Sequence, residues 1–333
     1  MSTVLLFGAT CLDYISLVKS FPSPDEKLRT DSLTITVGGN AANTSTCLSR
    51  LGVRAKLISK IGSDINGEKI REQLNREKNL DTNSMLVEST MEISPMTYVI
   101  VDKKDQTRTC LFSAKNEEIR PENVRSDWLE QIDFVHFDSR STEAAVELAR
   151  LAKAKSLPCS LDLERQRNFI DQLIPQINYI ITTENYSKNV CHDATICQTA
   201  VRFLQTYRET CRFVIVTLGA RGSVLIEPLR DRTRLSSFTE GSQVTCEIVR
   251  INEENFLQWN CTAWQIDQDK IQDTTGSGDA FIGGVIYALV SFPQWPKDRL
   301  LRFASYVAMC KLKGLGAQST LPFLSEIDMK LFH

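Results

Sequence analysis

Asp273-Thr274-Thr275-Gly276-Ser277-Gly278-Asp279-Ala280-Phe281, continued by the apolar run Ile282-Gly283-Gly284-Val285-Ile286-Tyr287-Ala288-Leu289-Val290, decides how the chain is read. Gly276 and Gly278 carry no Cβ, so a tight loop with exposed backbone N–H groups is open to them. The run beyond has helical length and unbroken apolar character, which predicts a buried helix starting near Ser277 or Gly278. A glycine loop that opens onto a helix N-terminus is an anion site, because unpaired N–H groups and the positive dipole end point the same way. Asp279 then falls in the first helical turn, beside any anion held there. A carboxylate in that position is electrostatically out of place unless it accepts a proton; the plainer reading is a first-turn acid favoured by the dipole. The stretch is not a Walker A loop, since no Lys-Ser or Lys-Thr follows the second glycine. Phe281 also stands where the G-x-G-x-x-G fingerprint needs its third glycine, which disfavours a Rossmann dehydrogenase.

Outward from this stretch, apolar runs alternate with helix-length segments. Strands are expected over residues 4–8, 55–62, 134–137, 159–163, 178–182 and 213–218, and helices over 41–51, 66–77, 143–155 and 197–207. Apolar strands alternating with helices imply a parallel sheet covered on both faces, with ligands beyond the carboxyl ends of the strands. That places the loops after Leu163, Thr182 and Leu218 near the Gly276 loop. Residues 95–102 and 106–112 break the alternation: they read as two strands joined by a Lys103-Lys104-Asp105 hairpin loop. With the strands at 12–18 and 33–37 they are expected to form a small antiparallel sheet, a candidate lid. Residues 227–272 show no clean helical period and read as short strands with a surface insertion.

Bulk properties narrow the classes. A chain of 333 residues can bury one large core, and a net charge of −2 without like-charge blocks gives no basis for nucleic-acid or membrane attraction. No run of about eighteen apolar residues is present to span a bilayer. The ten cysteines lack C-x-x-C pairing, which favours reduced thiols over disulfides or a zinc site. The three histidines, His136, His192 and His333, are not paired at ligand spacing, so imidazole-based metal or triad chemistry is disfavoured. The N-terminal eight residues have no basic leader or cleavage site and read as a first strand. A cytoplasmic enzyme is the expectation.

The second informative motif is Val37-Gly38-Gly39-Asn40-Ala41-Ala42-Asn43, where two glycines again precede a helix start. Its carboxamides at i and i+3 share one side of the first turn, where they can donate to and accept from hydroxyls. Together the two motifs resemble the signatures of the PfkB (ribokinase-like) carbohydrate kinase family, a Gly-Gly-Asn region near the N-terminus and an Asp-Thr-x-Gly-x-Gly-Asp region near the C-terminus. The resemblance spans nearly the whole chain. It is nearest the ketohexokinase-like branch, on residues 11–18, 107–109, 136–140 and 160–165.

The resemblance implies a ribokinase-like three-layer α/β/α sandwich with a mainly parallel central sheet plus a small β-sheet lid. Residues 1–12, 38–94 and 114–333 would form the core, and 13–37 and 95–113 the lid. It implies an ATP-dependent kinase using Mg²⁺, with Asp279 as the base and Thr275, Gly276, Ser277 and Gly278 as the anion hole. Asp13, Asp25, Gly39, Asn40 and Asn43 would bind sugar hydroxyls, and Arg108 would close the site from the lid. Thr217, Gly219 and Gly222 look like the family's nucleotide-contacting loop. An Asn-x-x-Glu element associated with the metal in ribokinases is missing: residues 182–187 read Thr-Thr-Glu-Asn-Tyr-Ser, leaving the metal ligands unassigned and Glu184 a weak candidate. The expected chemistry is phosphoryl transfer to a hydroxyl, with Asp279 at an ordinary carboxylate pKa of about 4. The acceptor is read as a small sugar such as a ketose (fructose), or alternatively a nucleoside of the adenosine or pseudouridine type. A catalytically inactive binding or scaffold protein is the reading from a different class. A homodimer through the exposed lid sheet is also open.

Overall fold

Thr3–Phe7 (β1) shows why the layers form as they do. Val4 and Leu6 belong to one hydrophobic core, Leu5 and Phe7 to the other, and all four are fully buried. Successive strand side chains point to opposite faces, so an all-apolar strand requires cover on both. The computed structural model describes residues 1–30, 32–89, 93–104, 107–114, 118–190, 195–229 and 243–332.

The central sheet has ten strands. In spatial order they are β15 (Val244–Ile251), β16 (Glu254–Cys261), β14 (Ser223–Pro228), β13 (Phe213–Thr217), β12 (Tyr179–Thr183), β11 (Cys159–Leu163), β10 (Phe134–Phe137), β1, β4 (Arg54–Ile58) and β6 (Leu80–Asp81). From β13 to β6 every pairing is parallel, and β14 to β16 add an antiparallel edge. One face is covered by α1 (Asn40–Arg50), α2 (Ile65–Leu74), α7 (Ser277–Ser291) and α8 (Lys297–Lys311). The other carries α3 (Thr142–Ala154), α4 (Ile170–Leu173) and α6 (Ile196–Thr206), while α5 (Glu184–Val190) follows β12 directly. The expected three-layer architecture is present. Among the described residues no helix is long and apolar enough to cross a membrane, and every cysteine is a free thiol.

A separate four-stranded sheet runs β3 (Leu33–Gly38), β2 (Cys11–Val18), β8 (Met96–Asp102), β9 (Thr107–Ser113). It is not wholly antiparallel as expected: β2 and β8 pair in parallel, Leu12 opposite Met96. The chain makes a long excursion through the core between them and re-enters at the same end, where Leu12 N–H donates to Pro95 O at 2.9 Å. No hairpin forces those two strands to oppose each other.

Two further expectations are corrected. The single strand over 55–62 is two, β4 and β5 (Lys60–Gly62), because β1 ends at Phe7 and offers no partner past Ile58. From Ser59 the chain turns instead to β7 (Leu86–Glu88), with Leu86 N–H donating to Ser59 O at 2.9 Å. The 227–272 segment is more regular than its sequence suggests: β15 and β16 are eight residues each, joined at Asn252 and Glu253, both at positive φ (49° and 65°). Two consecutive left-handed residues are the tight-hairpin geometry, but without a glycine they leave little sequence signal. Residues 230–242, within the stretch read as carrying a surface insertion, lie outside the described residues. So do Asp105 of the Lys103–Asp105 loop, Cys191, His192 and His333.

Candidate active site

Helix α7 begins at Ser277, with Gly276 as its N-cap at φ 77° and no side-chain cap. A Cβ at 276 would lie 2.6 Å from Ala317 Cβ, so backbone and packing both demand glycine there. At Gly278 an added Cβ would meet nothing within 4 Å. Packing does not require that glycine, and the N-terminal face of the helix stays open. Ser277 N–H donates to Thr274 O (3.2 Å) and Ala280 N–H to Gly276 O (2.9 Å). The N–H groups of Gly278 and Asp279, between them, have no backbone partner among the described residues and are free to donate outward.

Asp279 is 8% exposed, and Asn43 Nδ2 donates to its Oδ2 at 2.7 Å. Burial pushes its carboxyl up to about 7; the Asn43 hydrogen bond acts downward, and the charges of Glu164, Asp138 and Asp13 act upward. The ordinary value expected from sequence is thereby corrected. Desolvation disfavours the ionised form, and neighbouring acids add to it. Asn43 is itself held: Gln318 Nε2 donates to Asn43 Oδ1 at 3.0 Å, and Arg50 Nη1 donates to the Gln318 carbonyl at 2.7 Å. With its oxygen engaged by Gln318, Asn43 has only its NH₂ to offer Asp279.

Asn40, one turn earlier on α1, donates Nδ2 to Asp162 Oδ2 at 3.1 Å. Asp162 is buried at β11, and its carboxyl is pushed well above the usual range by burial, then by Glu164 and Asp279. Gly39 caps α1 at φ 95°, where a Cβ would lie 2.6 Å from the Ala9 carbonyl oxygen. Asp13 is buried on β2 and accepts from Cys11 Sγ at 3.2 Å, with its carboxyl raised by burial. Its Coulombic influence on Asp279 puts the two acids in one region.

From β9, Arg108 Nη1 donates to Thr274 Oγ1 at 2.5 Å, joining the four-stranded sheet to the loop that leads into α7. Thr275 donates through N–H (2.9 Å) and Oγ1 (2.7 Å) to Asp273 Oδ1, and Gly316 N–H donates to Asp273 Oδ2 at 2.9 Å. Burial acts to raise the Asp273 carboxyl, but Thr275, Lys311 and Gly316 hold it below its ordinary value.

The structure does not gather every expected residue into one contact set. Thr217, Gly219 and Gly222 form a second locus at the end of β13. There Thr217 Oγ1 donates to Thr182 O at 3.2 Å and Leu218 N–H to Gly222 O at 2.8 Å. Gly219 and Gly222 have φ of 61° and 97° and bracket a single 3₁₀ turn. No hydrogen bond or ion pair joins this turn to residues 276–278 among the described residues. Glu184 is paired with Arg221 and, at 3.1 Å, with Lys188. Its carboxylate is held below its usual range by those two cations. Among the described residues no group of three His, Cys, Asp or Glu side chains could hold a metal ion. Asp25 is exposed, at φ 65° in the turn after β2, and among the described residues no hydrogen bond or ion pair joins it to the cluster.

Some residues were not singled out from the sequence. Asp138, fully buried after β10, accepts from Ala9 N–H (2.6 Å), Ala41 N–H (3.2 Å) and Arg140 N–H (2.9 Å). It clamps the exit of β1 to the start of α1. Its partners are backbone amides, which have no side-chain signature; the 136–140 segment was marked only by resemblance. Gln318 and Lys311 also carry no motif. His136 is fully buried, bonded through Nδ1 to Ser160 Oγ at 2.9 Å, and burial pushes it down to about 3. It is a neutral structural histidine.

Comparison with known proteins follows the same lines. Residues 1–245 and 257–324 match the model of the pfkB family carbohydrate kinases. A nucleoside kinase of Methanocaldococcus jannaschii is 25% identical over 340 residues, covering 99% of this chain and 97% of its own. A ribokinase of Haemophilus influenzae is 25% identical over 330 residues, covering 97% and 96%. Among solved structures, ribokinase from Thermotoga maritima superposes with a TM-score of 0.77 at 20% identity, covering 100% of this chain and 99% of its own. Ribokinase from Arabidopsis thaliana, complexed with ribose and ATP, gives 0.74 at 17% identity, with coverage of 100% and 99%. These likenesses show the fold; the ketohexokinase-like branch remains a reading of the sequence alone.

Proposed function

Since the chain belongs to the pfkB family of carbohydrate kinases, we propose that it transfers the γ-phosphoryl group of ATP to a hydroxyl of a small sugar, with Asp279 as general base. One observation carries this reading. A buried carboxylate, held by Asn43 at 2.7 Å, sits in the first turn of a helix whose neighbouring N–H groups are unpaired. Phosphoryl transfer needs charge stabilisation on non-bridging oxygens and removal of the acceptor's proton, and these two features supply one each.

In this mechanism the N–H groups of Gly278 and Asp279 receive the transferring phosphoryl oxygens. Asp279 takes the hydroxyl proton; with its carboxyl near 7 it is a stronger base at neutral pH than an ordinary aspartate. Asp13, Asn40 and Asn43 orient the acceptor, Asn40 steadied by Asp162. The 217–222 turn meets the nucleotide. Mg²⁺ carried by the nucleotide would supply further positive charge to the phosphate oxygens. We read the four-stranded sheet, residues 13–37 and 95–113, as a lid over the remaining core, with Arg108 as its latch on Thr274. Closing it excludes water and so limits idle ATP hydrolysis.

The sugar is read as a small one such as a ketose (fructose). A nucleoside is the second reading, supported by the likeness to the nucleoside kinase of Methanocaldococcus jannaschii.

The test is an ADP-release screen of the purified protein over aldopentoses, ketoses, nucleosides and other polyols, repeated with Asp279→Asn. Turnover with at least one acceptor is expected. The variant should lose about 10²–10⁴-fold in kcat while still binding ATP by calorimetry. Silence across the panel would overturn the kinase reading, and undiminished turnover in the variant would overturn the base.

A further inference from the structure

Lys311 is the last residue of α8 and is 0% exposed, a rare situation for an ammonium group. Its Nζ donates to the carbonyl of Asp273 at 2.7 Å and to that of Gly314 at 3.2 Å. Its own carbonyl accepts from Thr320 Oγ1 at 2.7 Å, so the residue is tied down at both ends. Asp273 opens the loop that runs into α7, and its carboxylate is taken up by Thr275 and Gly316. Lys311 therefore holds the backbone of this loop from beneath while Asp273 organises it from within. Burial pushes the Lys311 ammonium down to about 8, with Arg108 acting the same way and Asp273 and Asp279 holding it up, so it is still mostly charged at neutral pH.

An apolar side chain would fill this space at lower desolvation cost, because burying a cation is expensive unless it is well paired. A cation does what a methyl group cannot. It draws together two carbonyl oxygens that would repel each other, and it answers the negative end of the α8 dipole. It also places fixed positive charge below a loop whose outer side is read as a phosphate site.

We propose that the Lys311 ammonium is the built-in cation of the anion loop, a positioning residue that pins the Asp273 carbonyl and so presents the Gly278 and Asp279 N–H groups to the transferring phosphoryl group. The inference rests on the phosphoryl-transfer reading of that loop. It differs from a purely structural role because the effect belongs to the charge, and a small cation placed in the same position restores it.

The experiment compares Lys311→Ala and Lys311→Met with wild type. Turnover is followed alongside hydrogen–deuterium exchange of peptides spanning 273–281, with and without ammonium or methylammonium chloride. Tetramethylammonium chloride serves as the ionic-strength control. In both variants kcat should fall about 10- to 100-fold, the loss expected for a charge-assisted hydrogen bond, and 273–281 should exchange faster. Ammonium should restore both properties in Lys311→Ala, where the carbonyls are left with room for it, and not in Lys311→Met, where the side chain fills the site. Wild-type turnover and exchange in Lys311→Met would overturn the proposal. So would a folded Lys311→Ala that ammonium does not restore. If Lys311→Ala does not fold, unaltered or accelerated exchange in Lys311→Met decides the matter. A wild-type protein without phosphoryl transfer to any acceptor would defeat the kinase reading alone, since the exchange arms still report whether Lys311 orders the loop.

Discussion

As the proposed base, Asp279 would couple burial to rate. Its carboxyl is raised to about 7, with burial as the largest cause, so a substantial fraction is protonated and unable to act as a base at and below neutral pH. The expected profile of kcat/KM therefore falls about tenfold per unit on the acid side of 7 and levels above it. A flat profile from pH 5.5 to 8 would exclude Asp279 as the base. Asn43 opposes the shift through its hydrogen bond. In Asn43→Ala that bond is gone, the protonated form gains, and the acid limb moves to higher pH by about one unit. The position of the limb, read separately from the fall in rate, distinguishes tuning of Asp279 from loss of a hydroxyl contact. Gln318 reaches the same carboxylate only through Asn43, by keeping that amide the right way round.

At the scale of the element, the N-terminus of α7 uses its two glycines differently. Gly276 is at φ 77° against Ala317, and Gly278 faces open space. Gly276→Ala should cost about 2–4 kcal/mol, from left-handed backbone strain and overpacking together, visible as a lower denaturation midpoint. Gly278→Ala should leave that midpoint within about 0.5 kcal/mol of wild type yet lower kcat about tenfold or more, because its methyl group would stand before the free N–H groups. Equal stability losses in the two variants would contradict this division of labour. Deeper in the helix, Gly283 and Gly284 let it approach its neighbours: added Cβ atoms would lie 2.6 Å from Cys47 Sγ of α1 and 2.7 Å from Ala304 Cα of α8. The helix that presents the site is thus clamped between the two helices that carry Asn43 and Lys311.

For the molecule as a whole, what matters is how the four-stranded sheet meets the core. Arg108 and Thr274 are both exposed, so Arg108→Ala should leave the melting temperature unchanged. ATP hydrolysis without acceptor should nonetheless rise relative to transfer, as measured by ADP released per phosphorylated product. Unchanged coupling would show that the latch has no part in closure. Strand β9 is the outer edge of that sheet and is exposed along its length, with Leu111 57% and Phe112 43% accessible. Such an edge invites pairing. A dimer is expected in sedimentation equilibrium, dissociated by Leu111→Lys; a wild-type monomer at tens of micromolar would exclude it.

Local chemistry was enough to establish much of this protein. Continuous apolar strands alternating with helices already required a sheet covered on both faces, and the glycine loop before an apolar run placed the start of α7 at Ser277 with Asp279 in its first turn. These are matters of side-chain periodicity and backbone freedom over a few residues, which a sequence carries directly. The β15–β16 hairpin was hidden because Asn252 and Glu253 adopt positive φ without a glycine to announce it. Only the tertiary structure decided the chemistry of the site. Asn43 and Asp279 are separated by 236 positions, and the pKa of the acid depends on that contact and on what excludes water around it. Asp138, Gln318 and Lys311 were illegible for the same reason: each acts on atoms brought to it by distant segments, in two cases backbone atoms that every residue shares. Desolvation and partner distance are properties of packing, and they exist only once the layers have closed.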